Sequence, residues 1–273
     1  MNDSTTLTFV RSNVQSILSI ALLNRCSGVK PDMSRPSVSI IGYDAPQFIE
    51  FLVQSLPQID IIKFFRPPFS QPIQRDPSID ATERAVIAHG LAIREKLNLP
   101  FWDSVLLYMS KHPVKARSVL KRVTRHNPQD LDSFPMHRSD CREIRLREII
   151  EDLPRNRMLA LSSRVLTKRR EVLHLPMLDF HCPTSTENDV LVKNVIMEIG
   201  LEGYIAKSGG SYHFYGCALV DEHSLVTILA KSLLFCPIID RAWIAHQLIE
   251  RACGLRISPG KTYERCPEII GTV

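Results

Sequence analysis

The spacing of apolar and polar residues changes twice along this chain. Within residues 38–65, "VSIIGYD", "APQFIEFLVQSLP" and "QIDIIKFF" predict a strand, a helix and a strand. Residues 80–154 carry apolar side chains at helical spacing, as in "TERAVIAHGLAIREKL", which predicts consecutive helices. The proline-rich "RPPFSQPIQRDPS" predicts an irregular loop between the two, and "VKPDMSRPS" (29–37) predicts a linker after an N-terminal amphipathic segment.

After Pro154 the apolar segments become shorter and alternate in type. "MLALSSRVLT" and "VLHLPMLDFHCP", joined by the basic turn "KRRE", predict two strands of a hairpin. A helix, the strand-loop-strand "YIAKSGGSYHFYGCALV" and two more helices follow. We therefore predict an α+β fold with helices packed on an antiparallel sheet at 156–273, after a mainly helical region at 1–155.

Composition narrows the class of protein only slightly. The formal charge of +5 is compatible with a nucleic-acid partner without requiring one. The seven cysteines are scattered with no CxxC, which argues against a disulfide framework or a zinc site. The first residues are polar where a secretory signal would be apolar, and no apolar run approaches the roughly 20 residues of a membrane span. We expect a soluble, cytoplasmic protein with no membrane partner.

Two polar stretches interrupt the predicted strands and are candidates for chemistry. In "LHLPMLDFHCP", Asp179 and His181 lie two residues apart and share a strand face, which makes half of a divalent-metal site or a polar pair at a strand end. In "KSGGSYHFYG", glycines allow close backbone approach to a phosphate, with His213 just inside the next strand. The alternative for this loop is an ordinary hairpin turn.

Two further features extend this set. Asp240, after the apolar pair in "PIID", can cap the following helix or supply a second carboxylate to a metal. The basic run "KHPVKARSVLKRVTRH" can neutralise several phosphates, or can form a solvated helix surface. Its cations are Lys111, Lys115, Arg117, Lys121, Arg122 and Arg125.

The order of these motifs resembles the archaeo-eukaryotic primase (primase-polymerase) superfamily over residues 158–273. That family has a strand with Asp-x-Asp, a loop and strand with Ser-x-His, and an apolar segment ending in Asp. Here "MLDFH", "SGGSYHFYG" and "PIID" stand at those places, and "LRISPGKTYERCPEII" resembles the closing segment. One departure is that His181 replaces the second aspartate.

The resemblance implies a role for each matching residue. Asp179 and Asp240 would bind a divalent metal, Mg or Mn, with His181 as a substituted ligand that changes the metal preference or removes activity. Contacts to the incoming nucleoside triphosphate would come from Lys207, Ser208, Ser211 and His213, with Arg256 and Lys261 as further phosphate or template contacts.

Three functions remain open at this stage. The first is metal-dependent nucleotidyl transfer that makes or extends a short DNA or RNA strand. The second is a catalytically degenerate module that binds nucleotide or nucleic acid within a larger complex. The third is a metal-dependent nuclease, which would use the same carboxylate and histidine chemistry.

Overall fold

Two antiparallel sheets with helices packed against them form the described part of this protein, in a computed structural model that describes residues 39–69, 79–112, 117–125 and 128–273. The α+β class is confirmed. The predicted linker at 29–37, the amphipathic segment before it and the stretch 70–78 of the proline-rich loop lie outside the described residues. Among the described helices, none has the length and apolar content that a membrane crossing requires.

Strands from both halves of the chain contribute to the sheets. The strands are β1 (Ile59–Phe65), β2 (Ser133–His137), β3 (Ala160–Thr167), β4 (Val172–His174), β5 (Met177–Asp179), β6 (Gly203–Lys207), β7 (Tyr212–Gly216), β8 (Gly254–Arg256) and β9 (Glu268–Thr272). The first sheet has the order β2-β1-β3-β4, with β8 also pairing with β3, and the second has the order β5-β7-β6-β9.

Helices cover these sheets and also form a separate group. The helices are α1 (Ala45–Ser55), α2 (Ala81–Leu97), α3 (Phe101–Lys111), α4 (Arg117–Val123), α5 (Glu143–Glu151), α6 (Thr186–Ile199), α7 (Glu222–Ser232) and α8 (Arg241–Glu250). Local signals set their ends: Ser185 caps α6 by accepting from the Asn188 amide, and α6 ends at Gly200 with φ of 85°.

The first sheet joins residues on either side of the predicted boundary at 155. Ile62 of β1 lies opposite Met136 of β2 on one side and Val165 of β3 on the other. One hydrophobic core also contains Phe48 and Phe214 from the two halves. The division into regions 1–155 and 156–273 stays a prediction, while β2 adds a strand to the part of the chain, 80–154, that was predicted to be helical.

The predicted strand at the start of 38–65 is wrong for the residues that the structure describes. Residues 39–43 form a turn, in which the Tyr43 amide donates to the Ile40 carbonyl. Gly42 adopts φ of 91°, which lies in the left-handed region that favours glycine and interrupts extended backbone. The helix and the second strand of that prediction are present as α1 and β1.

The second strand of the predicted hairpin divides between the two sheets. β4 pairs with β3, as predicted, but β5 pairs with β7 of the other sheet. The change occurs at Leu175–Pro176: the Leu175 amide donates to Ser163 in the first sheet, and the Pro176 carbonyl accepts from Gly216 in the second. Pro176 has no amide hydrogen to continue the first ladder. This crossing carries Asp179 into the second sheet.

A three-helix group stands apart from the main core. We call it the helical satellite and define it as residues 79–112 and 117–125, which contain α2, α3 and α4. Its own small core consists of Val86, Val105 and Val119. α2 and α3 cross closely at Gly90, where an added Cβ would lie 2.5 Å from the Val105 Cγ2 atom.

Candidate active site

The register of the second sheet places Asp179 beside His213. The two residues are paired across β5 and β7, and the His213 Nε2 atom lies 3.7 Å from the Asp179 Oδ1 atom. The imidazole is buried, with 7% of the side chain exposed, whereas 30% of the Asp179 side chain is exposed. The site is therefore a buried histidine behind a carboxyl that solvent can reach.

Asp240 reaches the same place from the start of α8. Its amide donates to the Asp179 carbonyl at 3.1 Å, and its Oδ1 atom accepts from the Trp243 amide at 3.0 Å. The capping role predicted for Asp240 is confirmed, because this side chain satisfies an amide at the start of α8. The second carboxylate oxygen is not used by the cap.

The charges at this site disturb one another strongly. Burial and, to a smaller extent, the nearby Asp240 carboxylate raise the pKa of Asp179 to about 8, although Arg256 acts in the opposite direction. Burial lowers the pKa of His213 to about 3, with a smaller contribution from Arg256. Burial also lowers the pKa of Arg256. At neutral pH the imidazole is neutral and Asp179 is held largely as the uncharged acid.

The glycine loop between β6 and β7 closes one side of the site. The Ser208 amide donates to the Ser211 carbonyl at 2.9 Å, and Gly209 adopts φ of 113°, which only glycine reaches without strain. The Ser211 hydroxyl donates to the Phe180 carbonyl. Arg256 donates to the Ser208 carbonyl, which ties the closing segment to this loop.

Three predicted residues do not reach the Asp179 carboxyl. The Lys207 Nζ atom lies 3.6 Å from the Asp189 Oδ2 atom, and Lys261 is exposed. The His181 amide donates to the Ile238 carbonyl at 2.7 Å. Within the described residues, no hydrogen bond or ion pair joins the His181 imidazole to Asp179 or Asp240.

The site is also contacted by two tyrosines that the sequence analysis did not identify. The Tyr215 hydroxyl lies 3.3 Å from the His213 Nδ1 atom. Alternation along β7 puts residues 213 and 215 on one face, so this neighbour was accessible from the sequence. The Tyr263 ring lies against the glycine loop, where a Cβ on Gly209 would be 2.5 Å from the ring. No periodic pattern pointed to Tyr263.

The donor set limits how this site can hold a metal. Within the described residues, no group of three or more His, Cys, Asp or Glu side chains is arranged to bind an ion. The carboxylates available together are those of Asp179 and Asp240. Such a pair suits Mg²⁺, which commonly keeps several waters and takes one or two carboxylates together with substrate phosphates.

The clefts found elsewhere do not contain these residues. One, of about 350 Å³, lies beside α5 and the closing segment and is lined by charged residues that include Arg147 and Arg265. Another adjoins it at Arg142 and Arg147. In the second cleft the pKa of Glu50 is lowered and that of Arg147 is raised, so both shifts favour the charged forms. Burial opposes the charged forms of Asp179 and His213 instead, so we locate the candidate site at these residues and Asp240.

Residues 137–267 match the model of an archaeo-eukaryotic primase-like family, described as archaeo-eukaryotic primase 1D-like. No curated protein and no solved structure matches the chain. The match covers just under half of the 273 residues and contains every predicted site residue. The helical satellite lies outside it. This segment of the chain is therefore similar to the archaeo-eukaryotic primase-like family.

Proposed function

We propose that this protein is a primase-type nucleotidyltransferase that extends a DNA or RNA strand from nucleoside triphosphates. The observation that carries the proposal is the meeting of Asp179, His213 and Asp240, which lie far apart in sequence, at one end of the second sheet. All three belong to the segment that is similar to the primase-like family. A perturbed acid beside a perturbed base is characteristic of functional sites.

We assign metal binding to the two carboxylates of the site. Asp179 and Asp240 would hold a divalent ion, which supplies charge neutralisation for phosphoryl transfer when bound. Repulsion between the two carboxylates raises the pKa of Asp179, and a cation placed between them would relieve it. His181 stands near the same strand end and is a candidate to alter the choice between Mg²⁺ and Mn²⁺.

His213 would act toward phosphate as a neutral hydrogen-bond donor. Its lowered pKa keeps the ring uncharged at neutral pH, so its contribution is directional rather than coulombic. Fixed positive charge would come from Arg256, which already contacts the Ser208 carbonyl of the glycine loop. The amides at Gly209 and Gly210 are exposed and can approach phosphate oxygens closely.

The test is incorporation of labelled nucleotide on primed and unprimed templates with Mg²⁺ or Mn²⁺. We expect Asp179→Asn to lower incorporation at least 100-fold, because the substitution removes a carboxylate while keeping the side-chain shape. Asp140→Asn is the matched control, since Asp140 is an exposed carboxylate outside the site. Equal activity of the two variants would overturn the proposed roles.

A second function is favoured by the incomplete metal cage. The described residues lack a three-ligand cluster, and Asp179 holds a proton at neutral pH without a cation. Both features fit a degenerate module that binds nucleotide or nucleic acid within a larger complex. Nucleotide binding with no incorporation under Mg²⁺, Mn²⁺ or Co²⁺ would select this function over catalysis.

A further inference from the structure

The helical satellite carries an excess of positive charge that is concentrated at one end. Its described residues contain eight Lys and Arg against four Asp and Glu. Three of those acids are already engaged: Asp80 and Glu83 form the capping box of α2, and Asp103 pairs with Arg241. Residues 117–125 contain no acid at all. Their cations are Arg117, Lys121, Arg122 and Arg125.

Aromatic rings are stacked on the same group of helices. The rings of His89 and Tyr108 lie 4.5 Å apart with an interplanar angle of 13°, and those of Tyr108 and His112 lie 4.7 Å apart at 33°. We call these three residues the ring column. Tyr108 packs against the satellite core, whereas His89 and His112 are exposed at its two ends. The column thus has a partly buried central ring and two exposed histidines.

The ring column and the cations are close to one another in sequence. His112 directly follows the last residue of α3, and α4 begins at Arg117, five positions later. α4 is held on the satellite by Val119, which is fully buried against Val86 and Val105. Arg117 and Lys121 of α4 are exposed to solvent, and so is Arg125, two residues after its end.

The satellite is also tied to the candidate active site. The Arg241 Nε atom donates to the Asp103 Oδ1 atom at 2.8 Å. Arg241 is the first residue of α8 and directly follows Asp240. The contact thus joins the start of α3 to the start of α8, directly after Asp240.

We propose that the helical satellite is a docking surface for an unpaired nucleic-acid strand. Exposed cations attract phosphates, and exposed aromatic side chains can stack on bases of any sequence. A duplex would offer the cations its phosphates but would hide its base faces, which is why the ring column favours an unpaired strand. The role of this surface, which is to present a template strand, rests on the proposed function. Strand binding itself does not require catalysis.

The test measures the binding of a fluorescent 20-nucleotide oligo-dT to the full chain by anisotropy at several salt concentrations. We expect Lys121→Glu with Arg125→Glu to weaken binding at least tenfold and to make the salt slope shallower by about 1.4, since each single-strand phosphate contact contributes about 0.7. Exposed Lys193→Glu with Lys231→Glu changes the charge equally and should alter the affinity less than threefold.

The ring column is tested separately from the charge. His89→Ala with His112→Ala should weaken oligo-dT binding about fivefold without changing the salt slope, because stacking releases no counterions. Both side chains are exposed, so the fold should tolerate the substitutions, and circular dichroism checks it. Affinity within twofold of the parent for both satellite variants would overturn the proposal. So would equal weakening by the control pair, or tighter binding of a duplex of the same length.

Failure of this inference is distinguishable from failure of the proposed function. Asp179→Asn should keep full oligo-dT binding, and the Lys121 and Arg125 variant should regain incorporation at saturating template. Satellite-dependent binding without incorporation would leave the docking surface standing and remove the transferase. Nucleotide incorporation together with strand binding that does not depend on the satellite would support the transferase and overturn the docking surface.

Discussion

The second sheet and the helical satellite handle charge in opposite ways. At the end of β5, Asp179 and His213 are held in an environment that moves both pKa values far from their ordinary range. On the satellite, Lys121 and Arg125 are exposed. A buried ionisable pair is a cost to stability that a functional site accepts, whereas exposed cations have almost no such cost.

The second sheet is also packed more extensively than the helical satellite. Three adjacent residues of β7, Tyr212, His213 and Phe214, are all buried within the main core. The satellite core consists of three valines with partly buried aromatic side chains around them. A reacting group needs the dense packing of β7 to be placed precisely. A surface that adapts to a flexible strand can be built on the smaller core of the satellite.

The largest expected effect is a cavity in the second sheet. Phe214→Ala removes a side chain with no exposed area, so we expect a loss of about 3–5 kcal/mol in the free energy of unfolding. Urea unfolding followed by circular dichroism measures it. A loss below about 1 kcal/mol would mean that the second sheet is not more tightly packed than the helical satellite.

Local elements of this fold were predictable because their signals are local. The caps of α6 and α8, at Ser185 and Asp240, follow from side chains that bond amides within the same turn. The interruption between α3 and α4 follows from the proline in the basic run. The β3–β4 hairpin follows from two apolar segments around a polar turn.

Long-range pairing was not predictable in the same way. Nothing in "VLHLPMLDF" says that residues before Pro176 pair with β3 and residues after it with β7, because both halves are equally apolar. The site geometry depends on that crossing. Residue types identified Asp179, His213 and Asp240 as candidates, but their shared location followed from a family resemblance. Tyr263 was missed because its contact with Gly209 spans two loops without a pattern.

Acid should destabilise the second sheet once the opposing carboxyl is removed. In Asp179→Asn, lowering the pH from 7 to 5 should cost about 2 kcal/mol, because the pKa of His213 is about 3 when folded and about 6.5 when unfolded. At pH 5 the His213 imidazole is therefore protonated in the unfolded chain but not in the folded chain. Burial lowers the pKa of His174 as well, which adds loss in the same direction.

Urea titrations at several pH values measure this loss, with the satellite as the comparison. Val119→Ala in the same background removes no ionisable group from the satellite, so it should leave the shape of the pH profile unchanged. A flat profile for Asp179→Asn between pH 7 and 5 would show that His213 is not held neutral by the fold.

A smaller effect is expected in the satellite core. Val119→Ala removes about two methylene equivalents from a fully buried position, so we expect a loss of about 1–2 kcal/mol. The loss should be local: amide exchange should rise about tenfold in α2, α3 and α4 but not in β7. Equal acceleration of exchange in β7 would show that the two regions unfold as one unit.

One expected effect has the opposite sign and concerns Asp179 itself. Asp179→Asn should raise the free energy of unfolding at pH 8, because the substitution removes a carboxyl whose pKa is raised by burial and by Asp240. The pKa is about 8 when folded and near 3.8 when unfolded, so between these values the unfolded chain releases a proton that the folded chain keeps, and this release favours unfolding. The cost shrinks as the pH falls below 8 and is small near pH 4, where the unfolded chain also begins to bind the proton. Paired urea titrations of the two proteins at pH 8 and pH 4 measure the difference, and Asp140→Asn should change stability at neither pH. A variant less stable than the parent at pH 8 would mean that Asp179 is satisfied without a cation, and the site would then be structural rather than poised for a ligand.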